Sequence, residues 1–196
     1  MTTFDIPKEY LGNPRNKEDI ISKEAKYMLS AILWSKEGED PSTQVGVAIV
    51  DKDGNILSGG CNNPSEQWKG EFPYKTDVPE EYNKYSYIIH AEMNGIFNYK
   101  GPIKDLEGAT MYVTLFPCIN CAKLIATSKI KKVVYLHDTR KDSKDNFMAK
   151  VLLSRCGIEY EEFDKTLLKG IELNIDAPNE KEIAKIKCYK PEEKVQ

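Results

Sequence analysis

Short apolar runs with strand character alternate with segments of helical periodicity along most of this sequence. The strand-like runs are residues 43–50, 56–60, 110–115, 132–136 and 158–163. The segments with helical spacing are residues 91–98, 118–128 and 145–155, and a longer one that begins at Asn16 and ends before Gly38. Because crossovers between neighbouring parallel strands carry helices, this alternation predicts an α/β fold with helices packed on a mostly parallel sheet.

Between the first two strand-like runs lies the turn sequence Asp-Lys-Asp-Gly-Asn, which predicts a hairpin at the start of the sheet. Residues 61–88 show no sustained periodicity, and a loop this long in a compact domain is usually functional, so we expect a lid or a contact surface.

After Lys165 the sequence is charged, with one weak helical stretch over residues 180–187. We therefore predict a domain over residues 1–165 and a C-terminal tail over residues 166–196 that belongs to it or packs on it.

Length and charge restrict the class of protein. A chain of 196 residues fits one domain, and no apolar stretch approaches the roughly 18–20 residues of a membrane helix or resembles a signal peptide. The 28 basic and 31 acidic residues give a formal charge of −3, which offers no positive field to nucleic acid or anionic lipid. We expect a cytoplasmic protein without a membrane partner, whose five cysteines are thiols or metal ligands.

Two short motifs, each at the start of a predicted helix, combine residue types that bind zinc. His90 is one of only two histidines and opens His-Ala-Glu, while Cys118 and Cys121 form Cys-x-x-Cys after a proline. Helix N-termini favour thiolate over thiol, and zinc binds thiolates and imidazole. Three protein ligands leave a fourth position for water, as in catalytic zinc sites, and Glu92 is placed to take a proton from that water.

Each motif by itself has a simpler interpretation. A lone histidine is more often hydrogen-bonded within the fold than bound to a metal, and Cys-x-x-Cys at a strand-to-helix junction also occurs as a redox dithiol. Neither interpretation explains why His-x-Glu precedes Pro-Cys-x-x-Cys in the same chain. That order of residues is the signature of the zinc deaminases.

Longer stretches carry a family resemblance over residues 27–163. They are D-P-S-T-Q-V-G at 40–46, Y-I-I-H-A-E-M-N at 87–94, G-A-T-M-Y-V-T-L-F-P-C at 108–118, C-A-K-L-I at 121–125 and I-K-K-V-V-Y at 130–135. Together they resemble the zinc-dependent cytidine and deoxycytidylate deaminase superfamily, and within it the deoxycytidylate (dCMP) deaminases most. The resemblance implies a three-layer α/β/α cytidine deaminase-like fold, with a mixed central sheet flanked by helices.

The resemblance also implies a reaction, the hydrolytic deamination of dCMP to dUMP and ammonia, which supplies dUMP for thymidylate synthesis. One zinc ion per chain would be bound by His90, Cys118 and Cys121. Glu92 would be the catalytic proton shuttle while activated water attacks C4 of cytosine. A backbone carbonyl near residues 115–116 would accept a hydrogen bond from the 4-amino group.

Substrate contacts follow from the same resemblance. The backbone N–H of Ala91 would bind the pyrimidine O2, and Asn62 would contact the sugar. Ser42 and Arg140 are the candidates for phosphate binding by their position, with Lys75 as a weaker third. The simpler alternatives are that Asn62 belongs to a turn and that the charged loop residues are solvated.

This sequence departs from the dCMP deaminases at residues 60–66. G-C-N-N-P-S-E stands where many of them carry G-Y-N-G-x-P-x-G, which helps to bind the activator dCTP, so the departure argues against activation by dCTP with Mg²⁺. The long loop contains no histidine, which argues against a second, structural zinc. Its many aromatic residues favour a subunit contact, and dCMP deaminases are commonly hexamers, so we expect a homo-oligomer and favour a hexamer.

Other functions compatible with the motifs stay open at this point. A deaminase could act on a base in tRNA or single-stranded DNA, or on another cytosine nucleotide or nucleoside. The acidic balance argues against nucleic acid, although G-C-N-N-P at residues 60–64 is similar to a segment of tRNA adenosine deaminases. A remote alternative is a noncatalytic, zinc-stabilised binding module, for which Glu92 would have no use.

Overall fold

Five strands form one mixed sheet in the order β2-β1-β3-β4-β5. They are β1 (Gly46–Val50), β2 (Ile56–Cys61), β3 (Thr110–Leu115), β4 (Lys132–His137) and β5 (Glu159–Glu162). Strand β1 is antiparallel to β2 and β3, whereas the β3–β4 and β4–β5 pairs are parallel. The mixed sheet and the opening hairpin are confirmed, but the expectation of a mostly parallel sheet is wrong, because half of the strand pairings are antiparallel.

The computed structural model describes residues 11–14, 20–174 and 185–188. The chain divides into two compact units, of which Lys23–Lys165 contains the sheet, while the other contains the described residues near both chain ends. The helices of the larger unit are α1 (Lys23–Ser35), α2 (Ala91–Asn98), α3 (Ile119–Thr127) and α4 (Lys144–Arg155). Short 3₁₀ helices span Glu80–Tyr82, Lys84–Ser86 and Ile103–Leu106.

Helices cover both faces of the sheet. Successive residues of a strand point to opposite faces, so Gly46 and Val47 mark the two sides of β1. A Cβ atom at Gly46 would overlap the backbone of Ala31 and Ser35, which shows how closely α1 packs on that side. A Cβ atom at Gly95 of α2 would instead overlap the side chain of Val47. Helices α1 and α2 therefore lie on opposite faces, as the three-layer fold requires.

The main hydrophobic core lies on the α2 side of the sheet, where α3 and α4 also pack. Its buried side chains include Val47, Ile49, Ile96, Met111, Val113, Ala122, Ile125, Val133, Ala149 and Leu153. Strands β3 and β4 are parallel and have Leu115 opposite His137, so both end at the same edge of the sheet. Loops and helix N-termini that follow these strands meet at that edge, where α/β folds place their functional sites.

Strand β1 begins at Gly46, three residues later than the sequence pattern predicts. The cause is Asp40, whose carboxylate accepts hydrogen bonds from the backbone N–H groups of Ser42 at 2.8 Å and Thr43 at 3.1 Å. These bonds hold residues 40–43 in a turn, which an aspartate side chain stabilises at the expense of the extended conformation.

Helix α1 likewise begins later than predicted. Residues 20–22 are not helical, and Ser22 precedes the helix with a side chain of the kind favoured at N-caps. The predicted cap at Asn16 lies outside the described residues. Within the described ranges, no helix combines the length and the apolar character needed to span a membrane.

In the second unit, β6 (Ile171–Asn174) pairs antiparallel with β7 (Lys185–Cys188). The predicted helical stretch over residues 180–187 is therefore wrong at residues 185–187. Charged and apolar residues alternate from Lys185 to Cys188, and a period of two favours a strand over a helix. The earlier part of that stretch, residues 180–184, lies outside the described residues.

Candidate active site

Helices α2 and α3 each begin with a residue that can bind a metal. His90 is the N-cap of α2 and Cys118 is the N-cap of α3, and both have the extended backbone conformation usual at that position. Neither side chain caps its own helix with a hydrogen bond. Both side chains are therefore available for contacts between the two helix starts, and Cys121 lies one turn into α3 on the same side.

His90, Cys118 and Cys121 form one compact cluster, as the sequence predicts. The His90 Nδ1 lies 3.3 Å from the Cys121 Sγ and 3.4 Å from the Cys118 Sγ. The three ligand atoms all lie within 4.8 Å of one another. A tetrahedral zinc with Zn–S and Zn–N bonds of about 2.3 and 2.0 Å sets its ligand atoms roughly 3.5–3.8 Å apart. The donor types and their separations therefore fit a zinc ion.

Hydrogen bonding within the cluster favours one thiolate. The hydrogen bond from Cys121 lowers the pKa of Cys118 to about 3, and the hydrogen bond with His90 acts in the same direction. Its hydrogen bond to Cys118, together with burial, raises the pKa of the Cys121 thiol. The separate hydrogen bond between His90 and Cys118 raises the pKa of His90. The negative charge of the Cys118 thiolate thus favours the protonated forms of Cys121 and His90. A bound divalent cation would replace those protons.

Glu92 lies in the first turn of α2 and is only 4% exposed. Burial raises the pKa of its carboxyl, while the charge of His90 acts in the opposite direction. Glu92 also lies close enough to Cys121 for each group to influence the pKa of the other. A carboxyl that burial makes easier to protonate, in contact with the metal-ligand cluster, has the properties of a general acid and base.

A pocket opens onto this cluster from the carboxyl edge of the sheet. Its lining residues are Asp40, Thr43, Val45, Asn62, Lys84, Tyr85, Ile88, His90, Ala91, Glu92, Leu115, Phe116, Thr139 and Arg140. The structure thus brings Asn62, Ala91 and Arg140 to the same pocket as the cluster. Ser42 and Lys75 are not among its lining residues. The Ser42 side chain is exposed, and its backbone N–H is bound to the Asp40 carboxylate.

The pocket wall contains a buried ion pair that the sequence did not predict. The Lys84 Nζ lies 2.8 Å from each Asp40 carboxylate oxygen, and the two side chains are 1% and 2% exposed. Burial acts to raise the pKa of Asp40, but hydrogen bonds from Lys84, Ser42 and Thr43 together lower it below its usual value. Asp40 belongs to the D-P-S-T segment that carries part of the family resemblance. Its partner Lys84 lies 44 residues away in the long loop, and no sequence pattern links the two residues.

Comparison with known families gives a match over residues 21–137 to the cytidine and deoxycytidylate deaminase zinc-binding region. That region contains the strands β1 to β4 and the helices α2 and α3. It also contains His90, Glu92, Cys118 and Cys121, the residues whose geometry is described above.

Similar proteins extend this match along most of the chain. Deoxycytidylate deaminase of Mus musculus is 32% identical over 172 residues, which cover 84% of this chain and 92% of the mouse protein. The Homo sapiens enzyme is 31% identical over 179 residues, which cover 88% of this chain and 96% of the human protein. The dCMP deaminase of cyanophage S-TIM5, solved in complex with dCMP and dUMP, is 26% identical and matches with a TM-score of 0.57 over 70% of this chain and 94% of its own. Because the zinc-binding region accounts for more than half of the sequence, the chain belongs to the cytidine and deoxycytidylate deaminase family.

Proposed function

We propose that this protein is a zinc-dependent hydrolase that converts dCMP and water to dUMP and ammonia. The observation that carries the proposal is that His90 of the His–Cys–Cys cluster, the buried Glu92 and the polar residues Asn62 and Arg140 line one pocket. Similarity to enzymes named deoxycytidylate deaminase, and to a structure that holds dCMP and dUMP, supports dCMP as the substrate.

In this proposal His90, Cys118 and Cys121 hold a zinc ion. A bound zinc ion lowers the pKa of water toward about 7 and so supplies a nucleophile at neutral pH. The protein's part is to present one imidazole and two thiolates from two helix starts, where the positive end of each helix dipole stabilises the thiolate form. Three protein ligands are the number typical of a catalytic site.

Glu92 is the proton shuttle in this mechanism. Its carboxylate would take one proton from the attacking water and pass it to N3 of the cytosine ring. It would then take the remaining proton of that water and deliver it to the 4-amino group, which leaves as ammonia. Both transfers need a carboxyl that is readily protonated and then readily loses the proton, and burial brings Glu92 closer to that condition.

The pyrimidine ring would be oriented by backbone groups at the same two helix starts. The Ala91 N–H belongs to the first turn of α2, where N–H groups have no partner within the helix, and we infer that it binds O2. The carbonyl of Leu115 or Phe116, both lining the pocket, would accept from the 4-amino group. Both bases carry O2, so the acceptor is what distinguishes cytosine, with its 4-amino donor, from uracil, whose O4 can only accept.

Asn62 would bind the sugar as a hydrogen-bond acceptor. Its Nδ2 already donates to the Thr43 carbonyl at 2.9 Å and to the Asp40 Oδ2 at 3.4 Å. Its Oδ1 accepts from the Val45 N–H at 2.6 Å, which leaves one lone pair. The only sugar hydroxyl of dCMP is the 3′-hydroxyl, so we infer that this hydroxyl donates to the Asn62 Oδ1.

Arg140 is the proposed phosphate ligand. Lys84 and Arg140 are the lysine and arginine side chains that line the pocket, and Lys84 is neutralised by Asp40. Arg140 forms no ion pair with a carboxylate of the described residues. We propose Ser42, which adjoins the pocket residue Thr43, as a second contact to the phosphate.

We further propose that the enzyme is a cytoplasmic homo-oligomer. An aromatic cluster in the long loop supports the oligomer: the Trp68 ring meets the Phe72 ring edge-to-face, with centroids 5.2 Å apart, and lies tilted against the Tyr87 ring at 5.4 Å. Trp68 and Tyr87 are about two-fifths exposed, which is typical of aromatic residues that a subunit contact covers. The hexameric state, the domain boundary at residue 165 and the single zinc per chain stay predictions of the sequence.

Zinc-loaded protein should deaminate dCMP with a higher kcat/KM than deoxycytidine, CMP or dCTP. The measurement is the change in ultraviolet absorbance on deamination, with each substrate at known zinc content and with and without added dCTP and Mg²⁺. Stimulation of dCMP turnover by dCTP would show that residues 60–66 still support activation. Turnover of none of the four, with one zinc bound per chain, would contradict the proposal and direct the search to a base in tRNA or single-stranded DNA.

Replacing Glu92 by glutamine should reduce kcat by roughly 10²–10⁴-fold, the usual contribution of a positioned acid–base group. Zinc content and thermal stability should change little, since glutamine has nearly the same shape. The matched control is Glu107→Gln on the exposed surface, which should leave kcat unchanged. Full activity of the Glu92 variant would rule out the shuttle, and loss of zinc would indicate a structural role instead.

Replacing Arg140 by glutamine should lower kcat/KM for dCMP by roughly 10–100-fold, since a hydrogen bond to a charged group contributes about 1.5–3 kcal/mol. Turnover of deoxycytidine, which has no phosphate, should stay at its original rate. Lys141→Gln is the control, because the neighbouring Lys141 is exposed and does not line the pocket. Equal losses of kcat/KM with dCMP and with deoxycytidine would show that Arg140 does not bind the phosphate.

A further inference from the structure

The Asp40–Lys84 ion pair is almost completely buried. Both carboxylate oxygens lie 2.8 Å from the Lys84 Nζ, and almost nothing of either side chain is exposed. Removing two charges from water carries a desolvation penalty that their attraction does not reliably repay, and well-packed apolar residues often serve as well. A pair of this kind beside the substrate pocket calls for an explanation in terms of function.

Asp40 links the ion pair to the proposed sugar contact. Besides Lys84, its carboxylate accepts from the backbone N–H groups of Ser42 and Thr43 and, at 3.4 Å, from the Asn62 Nδ2. An ionised carboxylate can only accept hydrogen bonds, so it sets which end of the Asn62 carboxamide faces it. The nitrogen of Asn62 is thereby directed to Asp40 and Thr43, and its oxygen to the Val45 N–H.

Lys84 links the same carboxylate to the part of the long loop that lines the pocket. It lies in the long loop, where its N–H donates to the Lys75 carbonyl and its carbonyl accepts from the Ile88 N–H at 2.8 Å. Its Nζ also lies 5.1 Å from the centre of the Tyr85 ring. Tyr85 and Ile88 line the pocket. The ion pair therefore connects the pocket residues around Lys84 with those around Asp40, although the two segments are far apart in the sequence.

We propose that the Asp40–Lys84 ion pair positions the substrate's sugar by fixing the orientation of the Asn62 carboxamide, so that the Asn62 Oδ1 faces the 3′-hydroxyl of the nucleotide. This inference rests on the proposed function. Asp40 and Lys84 are positioning residues, because they act through Asn62 and not on the reacting atoms. Their removal therefore affects recognition of the 3′-hydroxyl more than the chemical step.

The test compares dCMP with its 2′,3′-dideoxy analogue, which lacks that hydroxyl, in zinc-loaded protein. In the unmodified enzyme, loss of the hydroxyl should raise KM roughly tenfold, as expected for one hydrogen bond. In Lys84→Met the buried Asp40 loses the partner that lowers its pKa, so the carboxyl would take up a proton and would no longer act only as an acceptor for Asn62. KM for dCMP should then rise by about the same factor, and the two substrates should become nearly equal. The kcat for dCMP should stay within about threefold of its original value.

A second variant covers the case in which the unpaired Asp40 charge prevents folding. Asp40→Asn combined with Lys84→Met removes both charges. It also places an amide N–H₂ group against the Asn62 Nδ2, where two donors face each other. Recognition of the 3′-hydroxyl should therefore stay lost even if thermal stability is restored. The matched control is Lys132→Met, which removes an ion pair of the same 2.8 Å length with Glu161 outside the pocket. It should leave the substrate ratio unchanged.

The outcomes separate this inference from the proposed function. Turnover of dCMP by unmodified enzyme tests the function, and the ratio of the two KM values in the variants tests the ion pair. An undiminished preference for the 3′-hydroxyl in the folded double variant would overturn the positioning role. So would an unmodified enzyme that deaminates both substrates with equal KM, because Asn62 would then not read the hydroxyl.

Discussion

The active site depends on two helices that start close together at the carboxyl edge of the sheet. Cys118 follows strand β3 and His90 follows the long loop. The imidazole of His90 and the sulfurs of Cys118 and Cys121 thereby come within 4.8 Å of one another. Close packing fixes this arrangement, since Gly95 of α2 lies against Val47 of the sheet with no room for a side chain. The fit of the cluster to zinc and the placement of Glu92 follow from it, and the proposed orientation of the pyrimidine ring depends on it.

Around this centre, one carboxylate organises the part of the pocket that is proposed to bind the sugar of the nucleotide. Asp40 shapes the turn before β1, pairs with Lys84 of the long loop and bonds to Asn62 at the end of β2. Three segments that are distant in sequence are thereby held together by a single buried side chain. The remaining positive charge in the pocket belongs to Arg140, where a phosphate would be expected to bind.

The sequence predicted what depends on local pattern. The helices α2 to α4 and the pairing of β1 with β2 follow from periodicity, and the metal cluster follows from residues at two helix starts. Strand direction depends on long connections, so periodicity did not show that half of the sheet is antiparallel. The Asp40–Lys84 pair spans 44 residues and has no local signature. Residues 185–187 were predicted to be helical. Strand β7 has only four residues, and such a short alternation of charged and apolar side chains does not outweigh the helical propensity of the surrounding sequence.

X-ray absorption at the zinc edge, on protein as purified, tests the central claim most directly. It should show one zinc per chain with two sulfur ligands at about 2.3 Å, and two nitrogen or oxygen ligands at about 2.0–2.1 Å that represent His90 and a solvent molecule. Replacing Cys121 by serine should remove one sulfur from that shell. Four sulfur ligands, or a zinc shell that the Cys121 change leaves intact, would contradict a catalytic metal centre built from His90, Cys118 and Cys121.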